Sequence, residues 1–278
     1  MDTPDPWPDN PLPILPAAHR LGVVESTTRN AQVFQNASCN WRCWYCFVPF
    51  DLLAANEAKT AWLTTDRMIS LYRAETTPPL VIDCSGGQPD LIPEWIPWMM
   101  DSLTREGLHT TTYLWSDDNL SNDYFWRHLD PDQRRTVTAY RNYGRVGCFK
   151  GFNARSFAFN TRAEPTLFTR QFELFARLLA TGIDLYAYAT FTAPDDTNLD
   201  RDMTDFVDRL QEVHPTLPLR TIPLRIEAFG VVRPRLHPEH RHALEIQDQA
   251  IRAWNHEIER RFDAPTRALA MPDAPPKA

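Results

Sequence analysis

The sequence contains little glycine and no long apolar run. Only 9 of its 278 residues are glycine, which excludes a collagen-like chain, where glycine occupies every third position. No stretch of 18 apolar residues occurs, so no membrane-spanning helix is predicted. Hydrophobic residues make up 43% of the chain, which is enough for a core and excludes a disordered chain. The length fits one or two domains, and because no linker-like stretch divides the middle we expect one.

Positive charge is also scarce. The 29 basic residues are outnumbered by 36 acidic ones, which gives a formal net charge of −7. Because phosphate binding normally leaves a basic footprint, nucleic acid is not the expected ligand. Three of the basic residues are lysines, Lys59, Lys150 and Lys277. Because lysine is rare in this chain, Lys150, which lies close to other candidate site residues, is notable.

Cysteine is present in an odd number, five, and three of the five fall within eight residues. A disulfide framework would normally have an even number spread along the chain. Residues 1–20 contain prolines and acidic side chains but no basic and apolar signal-peptide regions. The sequence therefore favours a reducing cytoplasm, where clustered cysteines indicate metal or redox chemistry.

Strand-like apolar segments alternate with amphipathic helical segments along the chain. This alternation predicts an α/β fold with a parallel sheet. We expect a Pro-rich extended arm at residues 1–20, a core at residues 21–235, and a C-terminal helix with a disordered tail at residues 236–278. The six predicted strands are residues 31–35, 80–84, 110–115, 145–150, 185–192 and 219–229.

The most informative segment is Cys39-Asn-Trp-Arg-Cys43-Trp-Tyr-Cys46. Its soft thiolates, on one loop, select zinc, copper(I) or an iron–sulfur cluster. A structural zinc site takes four protein ligands, and no fourth cysteine or histidine lies nearby. A [4Fe–4S] cluster held by three thiolates leaves one iron open to a small molecule. A zinc site completed by a distant ligand remains the alternative.

The spacing of Cys39, Cys43 and Cys46, with the aromatic Tyr45 before the last cysteine, resembles the signature of radical S-adenosylmethionine (radical SAM) enzymes. The resemblance implies a partial (β/α)6 TIM-like barrel with a C-terminal helix, and a [4Fe–4S] cluster whose open iron binds SAM. It implies cleavage of SAM to methionine and a 5′-deoxyadenosyl radical, which abstracts hydrogen from a substrate. An external one-electron donor of the flavodoxin or ferredoxin type would supply the electron.

A second motif, Ser85-Gly86-Gly87-Gln88-Pro89, is similar to the Gly-Gly-Glu-Pro motif of that family. The resemblance implies that Gly86, Gly87 and Gln88 hold the methionine amine of SAM, and glycine permits close backbone approach. Gln88 replaces the family's Glu, so it can accept a hydrogen bond but carries no negative charge. Weaker SAM binding, or compensation by another carboxylate, is expected. An ordinary strand-to-helix turn is the alternative interpretation.

The remaining cofactor contacts also follow from the resemblance. Tyr45 and Phe47 are expected to flank the adenine of SAM. Lys150 and Arg162 suit its carboxylate, with surface cations as the alternative. Ser116, at the start of the Ser-Asp-Asp run 116–118, is expected to contact SAM or substrate, unless this run is only a polar turn.

Two residues are candidates for catalytic contact with the substrate. Cys148 would donate a hydrogen atom that quenches a substrate radical. The alternative for Cys148 is inert packing, which is usual for an isolated buried cysteine and is also expected for Cys84. Glu227, on the sixth predicted strand, would contact the substrate. Thr190 and Thr192, on the fifth predicted strand, could make the same contact. For all three residues the alternative is an interior polar side chain that is simply satisfied by its neighbours.

The substrate itself is only loosely indicated. A small molecule or nucleotide in a biosynthetic pathway is expected, because no further cysteine cluster or added domain is visible. A glycyl-radical-enzyme activase is an alternative, although residues 27–30 are Thr-Thr-Arg-Asn where such proteins usually carry Gly-Pro-Gly-x-Arg. A peptide-modifying radical SAM enzyme and a non-catalytic metal-binding or redox-sensing protein are the others. No feature indicates the oligomeric state.

Overall fold

The computed structural model describes residues 11–274 and is built on one parallel sheet. Its six strands lie in sequential order. They are β1 (Ala31–Gln35), β2 (Val81–Ser85), β3 (Tyr113–Asp118), β4 (Tyr143–Phe149), β5 (Leu185–Thr190) and β6 (Thr221–Leu224). Within residues 11–274 no pairing joins β6 back to β1, so the barrel is partial and open. The predicted α/β fold with six parallel strands is confirmed.

Helices connect the strands, because parallel neighbours need long crossovers. The α-helices are α1 (Pro11–Leu21), α2 (Thr65–Arg73), α3 (Trp95–Arg105), α4 (Tyr124–Arg127), α5 (Pro131–Ala139), α6 (Ala154–Thr161), α7 (Leu167–Leu179), α8 (Leu199–Val213), α9 (Pro238–Arg261) and α10 (Ala264–Arg267). In the described part of the chain, no helix has the length and apolar character needed to cross a membrane.

Alternate strand residues face opposite sides of the sheet. Ile82, Leu114 and Phe149 pack into the core shared with the outer helices, and the rings of Phe149 and Phe172 lie 4.7 Å apart. Trp115 and Cys148 belong to a second cluster on the other side, which we call the inner face. Every functional side chain on a strand is therefore assigned to one face by its parity.

The predicted extended arm is helical where it is described. Leu12 and Ala17 of α1 are buried in the inner-face cluster, and the Tyr188 hydroxyl donates to Leu12 O at 3.2 Å. This tertiary burial stabilises a segment whose proline content suggested extension. Residues 1–10 of the predicted arm lie outside the described residues.

The predicted disordered tail is also partly ordered. It contains α10, and the buried guanidinium of Arg220 donates to Ala274 O at 3.0 Å. That hydrogen bond, together with buried Pro272, anchors the segment after α9. Residues 275–278 of the predicted tail lie outside the described residues.

Two strand boundaries differ from the prediction in ways that affect the site. β6 ends at Leu224, so Glu227 lies in the following loop and not on a strand. Pro223 lies within β6, at the sheet edge, where its missing N–H is tolerated. β3 continues to Asp118, so residues 116–118 belong to the strand and alternate between its faces, unlike the residues of a turn.

Candidate functional site

The three clustered cysteines lie on the loop that follows β1, and α6 holds this loop in place. Arg42 N donates to Thr161 O at 3.3 Å and Trp44 N donates to Asn160 O at 3.2 Å. The Trp44 indole N–H also donates to Asn160 Oδ1 at 3.0 Å. The cysteine loop is thus fixed over the carboxyl end of the sheet, where parallel α/β barrels carry their active sites.

The Gly86-Gly87 turn contacts the residues that lead into the cysteine loop. Gln88 N donates to Ser38 O at 2.8 Å, and Asn36 Nδ2 donates to Gln88 O at 2.7 Å. Gly87 has φ +67°, and a Cβ there would lie 2.4 Å from both Asn36 O and Ser38 O. Only glycine therefore fits, and the two sequence motifs meet in direct contact.

The cysteine thiols are shielded to different extents. Cys43 is buried, whereas Cys39 and Cys46 are half-buried. Burial raises the pKa of Cys43 to about 12 and also raises the pKa of Cys46, while the charge of Lys150 opposes both shifts. Binding a metal centre would therefore release protons from this loop.

The donors that the cysteine loop offers are three thiols. Over residues 11–274, no three His, Cys, Asp or Glu side chains are arranged to hold a single metal ion. In a [4Fe–4S] cluster, by contrast, each thiolate binds its own iron. Cys39, Cys43 and Cys46 are the residues that could hold such a cluster, with one iron left open.

Lys150, directly after β4, is a cation close to these thiols. Its charge lowers the pKa of Cys43, Cys148 and Asp117 against the larger raising effect of burial. Burial in turn lowers the pKa of Lys150, but Cys148, Tyr45, Cys43 and Asp117 outweigh it, and the pKa is raised. The lysine therefore stays protonated at the carboxyl end of the sheet.

The inner face below Lys150 carries two carboxyl groups. Burial raises the pKa of Asp117 to about 6, and the Trp115 indole N–H donates to Asp117 Oδ1 at 3.1 Å. Burial, reinforced by the charge of Asp117, raises the pKa of Asp83 well above its ordinary value. Oδ1 of Asp83 is buried without a hydrogen-bond partner among the described residues. Together with the buried thiol of Cys148, these carboxyl groups are polar sites on an inner face that is otherwise lined by aliphatic and aromatic side chains.

Three other predicted site residues lie on three different elements. Ser116 has the opposite parity to Asp117, and its hydroxyl bonds to the Tyr143 hydroxyl at 2.6 Å on the helix-covered side. Arg162 is exposed at the end of α6, in the left-handed region with φ +61°. Glu227 is half-buried in the loop after β6.

The two aromatic residues predicted to flank adenine are placed differently from each other. Tyr45 is buried, and its hydroxyl bonds to Thr190 Oγ1 at 3.1 Å, which ties the cysteine loop to the end of β5. Phe47 is 40% exposed. Their contacts with a cofactor remain predictions.

A buried polar network, which sequence reasoning missed, joins the two motifs. Gln88 is 0% exposed, its Nε2 donates to Asp118 Oδ1 at 2.8 Å, and its Oε1 accepts from Asn119 N at 2.8 Å. Asp118 in turn pairs at 2.7 Å with Arg145, which also pairs with Asp90. The only available signal was the polar run 116–119 after an apolar strand.

No protein-family model and no curated protein matches the chain. Among solved structures it is similar to Streptococcus suis SuiB bound to S-adenosylmethionine, with a TM-score of 0.47, 16% identity, and coverage of 66% of this chain and 38% of that one. It is also similar to anSMEcpe with bound AdoMet and Cp18Cys peptide, with a TM-score of 0.46, 14% identity, and coverage of 66% and 47%. The chain thus aligns with less than half of each structure. Both similarities are low, so the fold and the site rest on the strands and contacts described above.

Proposed function

We propose that this chain is a radical SAM enzyme. The observation that carries the proposal is the contact between the Gly86-Gly87 turn and the residues leading into the cysteine loop. Ser38 O accepts a hydrogen bond from Gln88 N, and Cys39 follows directly. A turn that only joined β2 to α3 would not need a glycine closely packed against two backbone oxygens. The contact supports one binding site formed by both motifs.

The roles of the residues follow from their positions. Cys39, Cys43 and Cys46 would hold a [4Fe–4S] cluster, while Trp44, which is 1% exposed, keeps water from one side of the loop. When bound, that cluster supplies the electron that cleaves SAM to the hydrogen-abstracting 5′-deoxyadenosyl radical. Lys150 binds the SAM carboxylate, because it is a protonated cation close to the loop.

The amino group of SAM would lie at the Gly86-Gly87 turn, where the absence of side chains leaves the backbone accessible. Gln88 supplies no negative charge there, and its amide is already bonded to Asp118 and Asn119. Asp117 lies on the inner face with Lys150, and their charges interact. We therefore propose Asp117 as the carboxylate that compensates for the missing Glu.

The substrate is proposed to be a small molecule or nucleotide bound on the inner face. Oδ1 of Asp83, which has no hydrogen-bond partner among the described residues, supports a substrate with a hydrogen-bond donor. Cys148 is buried on the same face, next to Lys150, so it is positioned as a hydrogen-atom donor. A flavodoxin- or ferredoxin-type protein would deliver the electron in a reducing cytoplasm.

The test is metal analysis combined with a cofactor assay. Protein purified and reconstituted without oxygen should contain iron and sulfide at about four of each per chain. With SAM and a low-potential reductant it should release 5′-deoxyadenosine. Iron and sulfide without SAM cleavage would instead indicate a sensor, and zinc alone would indicate a structural site. Either of these two results would overturn the proposed activity.

A further inference from the structure

Asn119 lies between the buried network and the cysteine loop. It is 8% exposed and directly follows β3. Its side-chain Nδ2 lies 3.6 Å from Cys39 Sγ, within range of an N–H···S hydrogen bond, and 3.2 Å from Gly87 O. Among the three clustered cysteines, Cys39 is thus the one that an amide side chain from another element contacts in the described structure.

The position of Asn119 is set from its backbone side. Asn119 N donates to Gln88 Oε1 at 2.8 Å, and the amide of Gln88 is oriented because its Nε2 donates to Asp118. Asp118 is fixed in turn by the guanidinium of Arg145 at 2.7 Å and by Leu120 N at 2.8 Å. A continuous chain of hydrogen bonds therefore runs from a buried ion pair to the sulfur of Cys39.

This network also explains why an amide occupies position 88. Gln88 donates to the Asp118 carboxylate and accepts from a backbone N–H at the same time, which an ionised glutamate cannot do. A glutamate would place a second carboxylate against Asp118, in a region where Arg145 already faces two acids, Asp118 and Asp90. The charge balance of the network therefore favours glutamine.

We propose that Asn119 is a positioning residue for the cluster, that its amide hydrogen-bonds to the sulfur of Cys39, and that Gln88 holds it there. This rests on the proposed function, because it takes Cys39 as a cluster ligand. A hydrogen bond to a ligand sulfur stabilises the more negative, reduced state of an iron–sulfur cluster and so raises its reduction potential. Asn119 thus sets how easily the centre accepts an electron.

The test measures the reduction potential of the reconstituted cluster by redox titration followed by electron paramagnetic resonance. Asn119→Ala keeps the backbone N–H to Gln88 but removes the amide donor, so the midpoint potential should become more negative. Gln88→Leu, which frees Asn119, should shift it in the same direction. The matched control is Asn122→Ala on the same loop. Among residues 11–274 the Asn122 side chain bonds only to Ser121 and Tyr124 N, so this variant should leave the potential unchanged.

The outcomes separate this proposal from the proposed function. If wild-type protein binds no iron and sulfide, the proposed function fails first and this proposal fails with it. If wild-type protein carries the cluster and cleaves SAM, but Asn119→Ala has the wild-type potential, only this proposal is overturned. If Asn119→Ala unfolds, the reduction potential of Asn119→Asp is measured instead. This variant keeps the shape of the side chain but replaces the amide donor with a carboxylate. A potential no lower than that of wild type would refute the proposed role.

Discussion

Replacing Gly87 with alanine should damage the protein more than the same replacement at other glycines with similar backbone angles. Gly86, Gly87 and Gly107 have φ values of +72°, +67° and +70°. Alanine in this left-handed region costs about 1 to 2 kcal/mol at any of them. The three sites differ in what the new Cβ would meet, so comparing them isolates the close contact.

The local surroundings rank the three variants. At Gly107 nothing lies within 4 Å of the added Cβ, so only the backbone term applies. At Gly86 the Cβ would lie 2.5 Å from Cγ of Gln35, a flexible side chain that can move. At Gly87 it would meet two backbone oxygens at 2.4 Å. Overpacking against backbone adds about 1 to 3 kcal/mol, so Gly87→Ala should lose about 2 to 5 kcal/mol in all.

The assay is thermal unfolding of the three variants together with their iron content after reconstitution. At about 2 to 4 °C per kcal/mol, Gly107→Ala should melt about 2 to 8 °C below wild type and Gly87→Ala about 4 to 20 °C below it. Because the backbone cost is shared, Gly87→Ala should melt about 2 to 12 °C below Gly107→Ala. Gly87→Ala should also bind less iron, because residues 36–38 must shift next to Cys39. Equal melting temperatures and equal iron contents for Gly87→Ala and Gly107→Ala would refute the proposed contact.

Two further predictions follow from charged residues. Burial raises the pKa of Asp90 from 3.8 to about 7 although Arg145 opposes this, so the folded chain keeps a proton that the unfolded chain has lost. The free energy of unfolding should then fall as pH rises from about 4 to about 7, by at most about 1.4 kcal/mol per pH unit. Asp90→Asn should flatten this fall in urea titrations, and an identical pH slope would contradict the assignment. Lys150→Met should weaken SAM binding to the reconstituted protein by roughly 10- to 100-fold, the worth of one charge-assisted hydrogen bond. Because Arg162 is exposed, Arg162→Met should change the Kd for SAM, measured by calorimetric titration, by no more than about twofold. If Arg162→Met weakened SAM binding more than Lys150→Met did, the roles of the two residues would be exchanged.

Much of the fold followed from local pattern. The predicted bounds of β1, residues 31–35, match the structure, and the alternation of strand-like with helical segments correctly predicted six parallel strands. α1 could not be recognised, since its stability comes from burying Leu12 and Ala17 against distant strands. Such tertiary burial overrides the low helix propensity of the segment, and the local sequence alone does not predict it.

The site was only partly predictable for a related reason. The cysteine loop and the glycine turn are contiguous motifs, so their residues could be named directly. The choice between Ser116 and Asp117 depended on strand parity, and the strand predicted to end at residue 115 left both in a turn, whereas β3 continues to Asp118 and places them on opposite faces. Arg145 and Asn119 act through partners far away in the sequence, and no local spacing identifies such pairs.

The most direct test of the account compares 5′-deoxyadenosine release by wild-type protein with that of two cysteine variants. Cys43→Ala removes a buried thiol from the cysteine loop, whereas Cys84→Ala removes another buried thiol from β2, outside that loop. Under anaerobic conditions with SAM and reductant, wild type and Cys84→Ala should release 5′-deoxyadenosine and Cys43→Ala should release none. Release by Cys43→Ala at the wild-type rate would contradict the central claim.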